Sequence, residues 1–209
     1  MLTVGLTGGI VCGKSEALSE LKKLGAYTID ADDIAHQVIT PGQPAYHQIV
    51  STFGPNILKS DKSIDRKKLG KLVFSNKESR KTLNQIAHPF ILEEEERHIS
   101  ELKIQKNPRS PVIVVEAALM IETGSYQRYD SIIVVNCRPE IQIERLMLRD
   151  GLSKKEALQR ISSQLPSEEK IKHAQYVMEN SGQLSELQEQ VQIIFIDLVR
   201  HHKKIKETI

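Results

Sequence analysis

The chain has 209 residues, enough for one sizeable core with helical insertions but too few for two ordinary domains. Lys and Arg number 29 against 27 Asp and Glu, a net charge of +2. With no basic block and no basic stretch interleaved with aromatics, nucleic acid is not an expected partner. Apolar residues at 39% and charged residues at 27% are ordinary for a globular protein, and no run approaches the roughly 18–20 apolar residues of a membrane span. The opening MLTVGLTGGI reads as a strand rather than a leader. Cys12 and Cys137 have no spacing that suggests zinc or a redox pair, so the expectation is no disulfide and a reducing, cytoplasmic setting.

In chain order, the apolar run Leu2–Thr7 predicts a strand that ends at Gly8-Gly9, and a helix follows from Lys14 to about Leu24. Ala26–Asp30 predicts a second strand, which leads into the acidic cluster Asp30-Ala31-Asp32-Asp33. From Ile34 to about Gln105 the pattern is helical, broken at Thr40-Pro41-Gly42, Gly54-Pro55-Asn56, Lys59–Lys62 and His88-Pro89. The charged run Glu93–Arg97 reads as a solvated helix face. Asn107-Pro108-Arg109-Ser110-Pro111 reads as a linker. The β-branched runs Val112–Val115 and Ser131–Asn136 predict strands buried on both faces of a parallel sheet. Helices are expected over Glu140–Arg149 and Ser153–Gln164, a short strand at Val177–Met178, and a long amphipathic helix over Ser185–Lys204. Strands alternating with helices give an α/β fold with a parallel sheet.

Gly8-Gly9-Ile10-Val11-Cys12-Gly13-Lys14-Ser15 matches G-x-x-x-x-G-K-[ST]. Such a pattern arises by accident in roughly one chain of this size in a hundred. Here it also follows a strand and opens a helix, as phosphate binding demands. Small residues let successive N–H groups turn inward, and the N–H groups of Ser15 and Glu16 in the first helical turn would face phosphate. Lys14 would meet the β- and γ-phosphates, and the Ser15 hydroxyl could ligate Mg²⁺.

The loop alone does not fix the reaction. A GTPase would carry Asn-Lys-x-Asp, and the nearest approach, Asn76-Lys77-Glu78-Ser79, lacks the aspartate. A motor would be longer, with an acidic pair where Val112–Glu116 offers one acid. A small-molecule kinase needs a carboxylate for the acceptor hydroxyl, a substrate region and mobile arginines. Asp32 after the second strand, the helical stretch and Arg145, Arg149 and Arg160 are candidates. Asp32 also has a lesser reading as a cap for a helix starting near Asp33, while His88 reads equally as a helix end and the arginines as a solvated helix face. Glu116, at a strand end beside the loop, suits Mg²⁺ through water.

Taken together, these segments resemble the dephospho-coenzyme A kinase family. The resemblance runs from Leu6-Thr7-Gly8-Gly9-Ile10 and Gly13-Lys14-Ser15 through Ile29-Asp30-Ala31-Asp32 to His88-Pro89. It continues through Glu116-Ala117-Ala118-Leu119-Met120-Ile121-Glu122, Val134-Val135, Glu144-Arg145-Leu146 and Arg149-Asp150 to Gln164 and Glu179-Asn180-Ser181-Gly182. It implies a P-loop NTPase three-layer sandwich with a parallel central sheet, a helical substrate-binding insertion and a lid. The nucleotide-binding core would comprise 1–33, 108–138 and 176–209, the substrate region 34–107 and the lid 139–175.

The implied reaction is phosphorylation of the ribose 3′-hydroxyl of dephospho-CoA by ATP with Mg²⁺, the last step of coenzyme A synthesis. On that mapping Asp32 is the base, and His88, Pro89 and Leu119 lie on the acceptor side. Lys14, Arg145 and Arg149 meet the phosphates, the Gly8–Glu16 segment and Asn180 hold ATP, and Ser15 and Glu116 serve the metal. A monomer or weak homo-oligomer is expected. Family loops usually carry Gly-Ser where this chain has Val11-Cys12; if position 11 needs a positive φ, a β-branched residue there is strained. A kinase of another small alcohol, such as a nucleoside or nucleotide, and a silent nucleotide binder are the competing readings.

Overall fold

β1 (Leu2–Gly8) is buried along its whole length, as a central strand covered on both faces must be. It lies in the middle of a five-stranded sheet with β2 (Tyr27–Asp30), β3 (Val112–Glu116), β4 (Ser131–Asn136) and β5 (Tyr176–Glu179), in the order β2-β3-β1-β4-β5. β1 pairs in parallel with β3 and β4, and β4 with β5. Side chains alternate along each strand. Leu2, Val4 and Leu6 of β1, with Ile133 and Val135 of β4, face one side. There they pack on Ala17 and Leu21 of α1 (Lys14–Lys23) and on Leu187, Val191 and Leu198 of α9 (Leu184–Thr208). Ile132 and Val134 face the other side, against Met120, Ile121, Tyr126 and Tyr129. The three expected layers are therefore present. Gly5 sits on this second face, where an added Cβ would meet Met120 Sδ at 2.5 Å and Tyr129 Cδ2 at 2.8 Å.

The computed structural model describes residues 1–105 and 110–208, without the side chains of 74, 75 and 204–208. Asn107, Pro108 and Arg109 of the expected linker lie outside the described residues. The chain divides into two units, Met1–Ile29 with Leu102–Ile209, and Asp30–Glu101.

The second unit is helical, with α2 (Ala31–Val38), α3 (Pro44–Phe53), α4 (Arg66–Ser75) and most of α5 (Lys77–Lys103). Its core is Tyr46, Ile49, Ile57, Ile64 and Leu69, with Leu83 and Ile86 packed against it. Three expectations change here. The break at His88-Pro89 does not occur: Pro89 lies inside the 27-residue helix α5. An interior proline costs about 3 kcal/mol, and packing of Leu83, Ile86 and buried Ile99 on either side offsets it. The cap of α2 is Asp30, whose carboxylate accepts from the N–H groups of Asp32 (2.9 Å) and Asp33 (3.1 Å). Asp32 is consequently a first-turn residue and not the cap. Finally, the run Glu93–Arg97 is not solvated throughout, since Glu95 is buried.

In the first unit, α6 (Pro139–Asp150) is followed by α7 (Lys154–Ile161), which starts at a capping box formed by Ser153 and Glu156 and ends three residues sooner than expected. A short helix, α8 (Ser167–Ile171), was not anticipated. The last helix extends further than expected at both ends. Among the described residues no helix is long and apolar enough to cross a membrane.

Candidate active site

The loop between β1 and α1 is held open at its base by glycines. Gly8 passes so close to β4 that a Cβ would lie 2.2 Å from the Val135 carbonyl oxygen. Gly13 is the N-cap of α1 with φ 97°, and no side chain caps that helix. No capping side chain therefore competes with an anion at this end, where the helix dipole favours one. A Cβ on Gly13 would lie 2.0 Å from Asn180 Nδ2. Asn180, buried just after β5, donates instead to the Cys12 carbonyl at 2.9 Å.

Val11 has φ 54°, so the strain expected for a β-branched residue at this position is present, on the order of 1–3 kcal/mol. The expectation of unpaired thiols is overturned: Cys12 and Cys137 form a disulfide with Cα atoms 5.3 Å apart. The reason is topological. Gly8 is in register with Val135, so the loops leaving two neighbouring parallel strands emerge side by side. A separation of 125 residues hid this in the sequence.

A cavity of about 510 Å³ opens over the loop, lined by Val11, Gly13, Lys14, Ser15 and Glu16, by Arg145 and Arg149 of α6, and by Asn180, Gly182 and Leu184. Arg145 is half-buried and Arg149 exposed, and both line the cavity. Asp150 ties this corner to α7. Its carboxylate accepts from Arg149 Nε at 2.8 Å and pairs with Arg160 Nη1. The hydrogen bond from Arg149 holds the Asp150 carboxyl below the usual carboxylate range, and Asp150 in turn raises the Arg149 guanidinium.

The remaining candidates are not among the residues that line this cavity. Gly8, Gly9, Ile10 and buried Cys12 shape the loop without lining it. Glu116, half-buried at the end of β3, is in register with Leu6, and Leu119 is 46% exposed shortly after it. Asp32, in the first turn of α2, and His88 and Pro89, within α5, belong to the helical unit.

A sequence profile of the dephospho-CoA kinase family matches residues 2–186 of this chain. The chain belongs to the dephospho-CoA kinase family. It is 44% identical over 197 residues to the dephospho-CoA kinase of Geobacter sulfurreducens, covering 93% of this chain and 98% of that one. With that of Carboxydothermus hydrogenoformans it shares 46% identity over 188 residues, 90% of each. Among solved structures, the dephospho-CoA kinase from Campylobacter jejuni superposes with a TM-score of 0.72 at 31% identity, covering 96% of this chain and 98% of that one. The chain is accordingly a kinase, and the family reaction is ATP-dependent phosphorylation of dephospho-CoA.

Within that family framework, several residues around the loop had no sequence signal of their own. Gln142 of α6 is buried and donates from Nε2 to the Ile10 carbonyl at 2.9 Å. A glutamine at an inward helix position looks like any other polar residue until the loop is folded onto it. Lys170 of α8 is fully buried, 2.8 Å from Glu122 Oε1 and 3.0 Å from the Ala118 carbonyl; in sequence it reads as one more lid cation. Leu184 completes the cavity wall beside Gly182 of the Glu179–Gly182 segment, and only the position of the turn after β5 reveals that.

Proposed function

We propose that this chain binds ATP·Mg²⁺ at Gly8–Ser15 and transfers the γ-phosphoryl group to the ribose 3′-hydroxyl of dephospho-CoA. The observation that carries the reading is the convergence, in one cavity of about 510 Å³, of the uncapped end of α1, Lys14, Arg145 and Arg149. Phosphoryl transfer proceeds through a loose transition state, so it requires chiefly positioning and charge neutralisation. The amides of α1 hold the phosphates. Lys14 and the two arginines neutralise the charge that spreads over the transferring oxygens. Asp32 accepts the proton of the attacking hydroxyl, and His88, Pro89 and Leu119 receive the acceptor.

Magnesium fits the residues present. Its usual sites combine one or two protein oxygens with water and phosphate; the Ser15 hydroxyl at the cavity wall would be one, and the Glu116 carboxylate at the end of β3 would reach the ion through water. Ser15 and Glu116 would hold the ion, whose chemistry when bound would be to offset charge on the phosphate oxygens. A monomeric or weakly associating enzyme in the cytoplasm completes the reading; that setting rests on the family reaction, because the Cys12–Cys137 disulfide removes the argument from unpaired thiols.

The test is ADP release measured with dephospho-CoA against a panel of nucleosides and nucleotides. Dephospho-CoA should be preferred by a wide margin, with product phosphorylated at the 3′-oxygen. Preference for a nucleoside would replace the acceptor, and ATP binding without acceptor-dependent turnover would mark a silent nucleotide binder.

A further inference from the structure

Val11 occupies the left-handed region at φ 54°. A β-branched residue keeps such a conformation only where its surroundings over-determine it. Both peptide groups of the preceding residue are gripped by side chains. The Ile10 N–H donates to Gln164 Oε1 at 3.0 Å, and the Ile10 carbonyl accepts from Gln142 Nε2 at 2.9 Å. On the far side of Val11, Asn180 holds the Cys12 carbonyl. Gly9 bears the same imprint, since a Cβ there would lie 2.7 Å from Gln142 Nε2.

The two glutamines come from opposite ends of the stretch that carries the cavity arginines. Gln142 precedes Arg145 and Arg149 by three and seven residues on α6, so all three share one helix face. Gln164 follows α7, and its neighbour Leu165 donates its N–H to Glu122 Oε1 at 3.1 Å, the same oxygen that Lys170 contacts at 2.8 Å. The loop, the arginine-bearing helix and the segment after α7 are therefore joined through one residue, Ile10.

We propose that Gln142 and Gln164 are positioning residues that clamp Ile10 from both sides and so keep the strained phosphate loop formed in the absence of nucleotide. Loss of either grip lets Val11 relax to a negative φ. The competent loop then becomes a minority state, and the apparent affinity for ATP falls by that fraction. Chemistry on bound ATP is untouched, because the phosphates themselves restore the loop once they are in place.

The inference rests on nucleotide binding at this loop, and the experiment separates the two. Steady-state kinetics are measured for Gln142→Ala and Gln164→Ala, each also combined with Val11→Gly, with thermal melting to establish folding. Gln164 is half-exposed, so its variant remains informative if the buried Gln142→Ala fails to fold. The expected result is a KM for ATP raised about tenfold, with kcat within about twofold and the KM for the acceptor unchanged. In the Val11→Gly background, where glycine adopts the conformation without strain, the same glutamine substitution should change the KM for ATP by less than about twofold. An unchanged KM for ATP in a folded Gln164→Ala would overturn the clamp. So would a tenfold effect that persists in the glycine background. Failure of the parent protein to bind ATP would instead remove the functional reading.

Discussion

Single atoms decide most of what happens at the loop. Gly13 has room for no side chain, with Asn180 Nδ2 2.0 Å from where its Cβ would be, and its φ of 97° disfavours any other residue. Gly13→Ala should therefore weaken ATP binding by at least about tenfold, measured by calorimetric titration; an unchanged affinity would show that Asn180 can move away. Asp32 lies in the first turn of α2 with its backbone N–H on the Asp30 cap. Removing its carboxylate leaves that cap intact. Asp32→Asn should keep ATP affinity and lower turnover by about 10²–10⁴, the range for loss of a general base; near-normal turnover would take Asp32 out of the mechanism.

At the scale of elements, α6 and α7 are tied through Asp150, and α8 is anchored by Lys170. The Asp150 carboxyl is held below its ordinary range chiefly by the hydrogen bond from Arg149. A carboxylate whose native pKa is depressed contributes stability that is fully present above its unfolded value near 4. That contribution is lost as pH falls through the lower native value. Melting temperatures of the parent should therefore fall more steeply than those of Asp150→Asn below about pH 4; parallel curves would leave the Arg149–Asp150–Arg160 cluster without a part in acid stability. Lys170 is fully buried and its partner Glu122 is 19% exposed at the side chain. Lys170→Met leaves that carboxylate and the Ala118 carbonyl without their cation, a loss of about 3–5 kcal/mol to be read from urea unfolding. A smaller change would mean that water reaches Glu122.

For the whole molecule, the disulfide is the longest covalent constraint, closing across 125 residues from the phosphate loop to the end of β4. In the chain-entropy limit a loop of that length is worth on the order of 4–5 kcal/mol. Oxidised protein should accordingly unfold at higher urea than protein kept in dithiothreitol, with the difference abolished in Cys137→Ser; coincident transitions would show that the thiols are unpaired in solution. The amino-acid sequence by itself determined the five strands, the phosphate loop and the family. Those signals are local: β-branched runs bounded by turn residues, a glycine pattern with a defined spacing, and short motifs in order. It also contained the Val11 anomaly, because a backbone demand for positive φ can be checked against one residue type. What only the tertiary structure decided were the relations between distant segments. Parallel pairing of β1 with β4 brought Cys12 to Cys137, and the same packing laid Gln142 and Gln164 on Ile10. Burial turned Lys170 from a surface cation into a partner for Glu122. Packing also carried α5 through Pro89, where local preference alone would have ended it. Each depends on which side chains face each other after folding, and spacing along one chain carries no record of that.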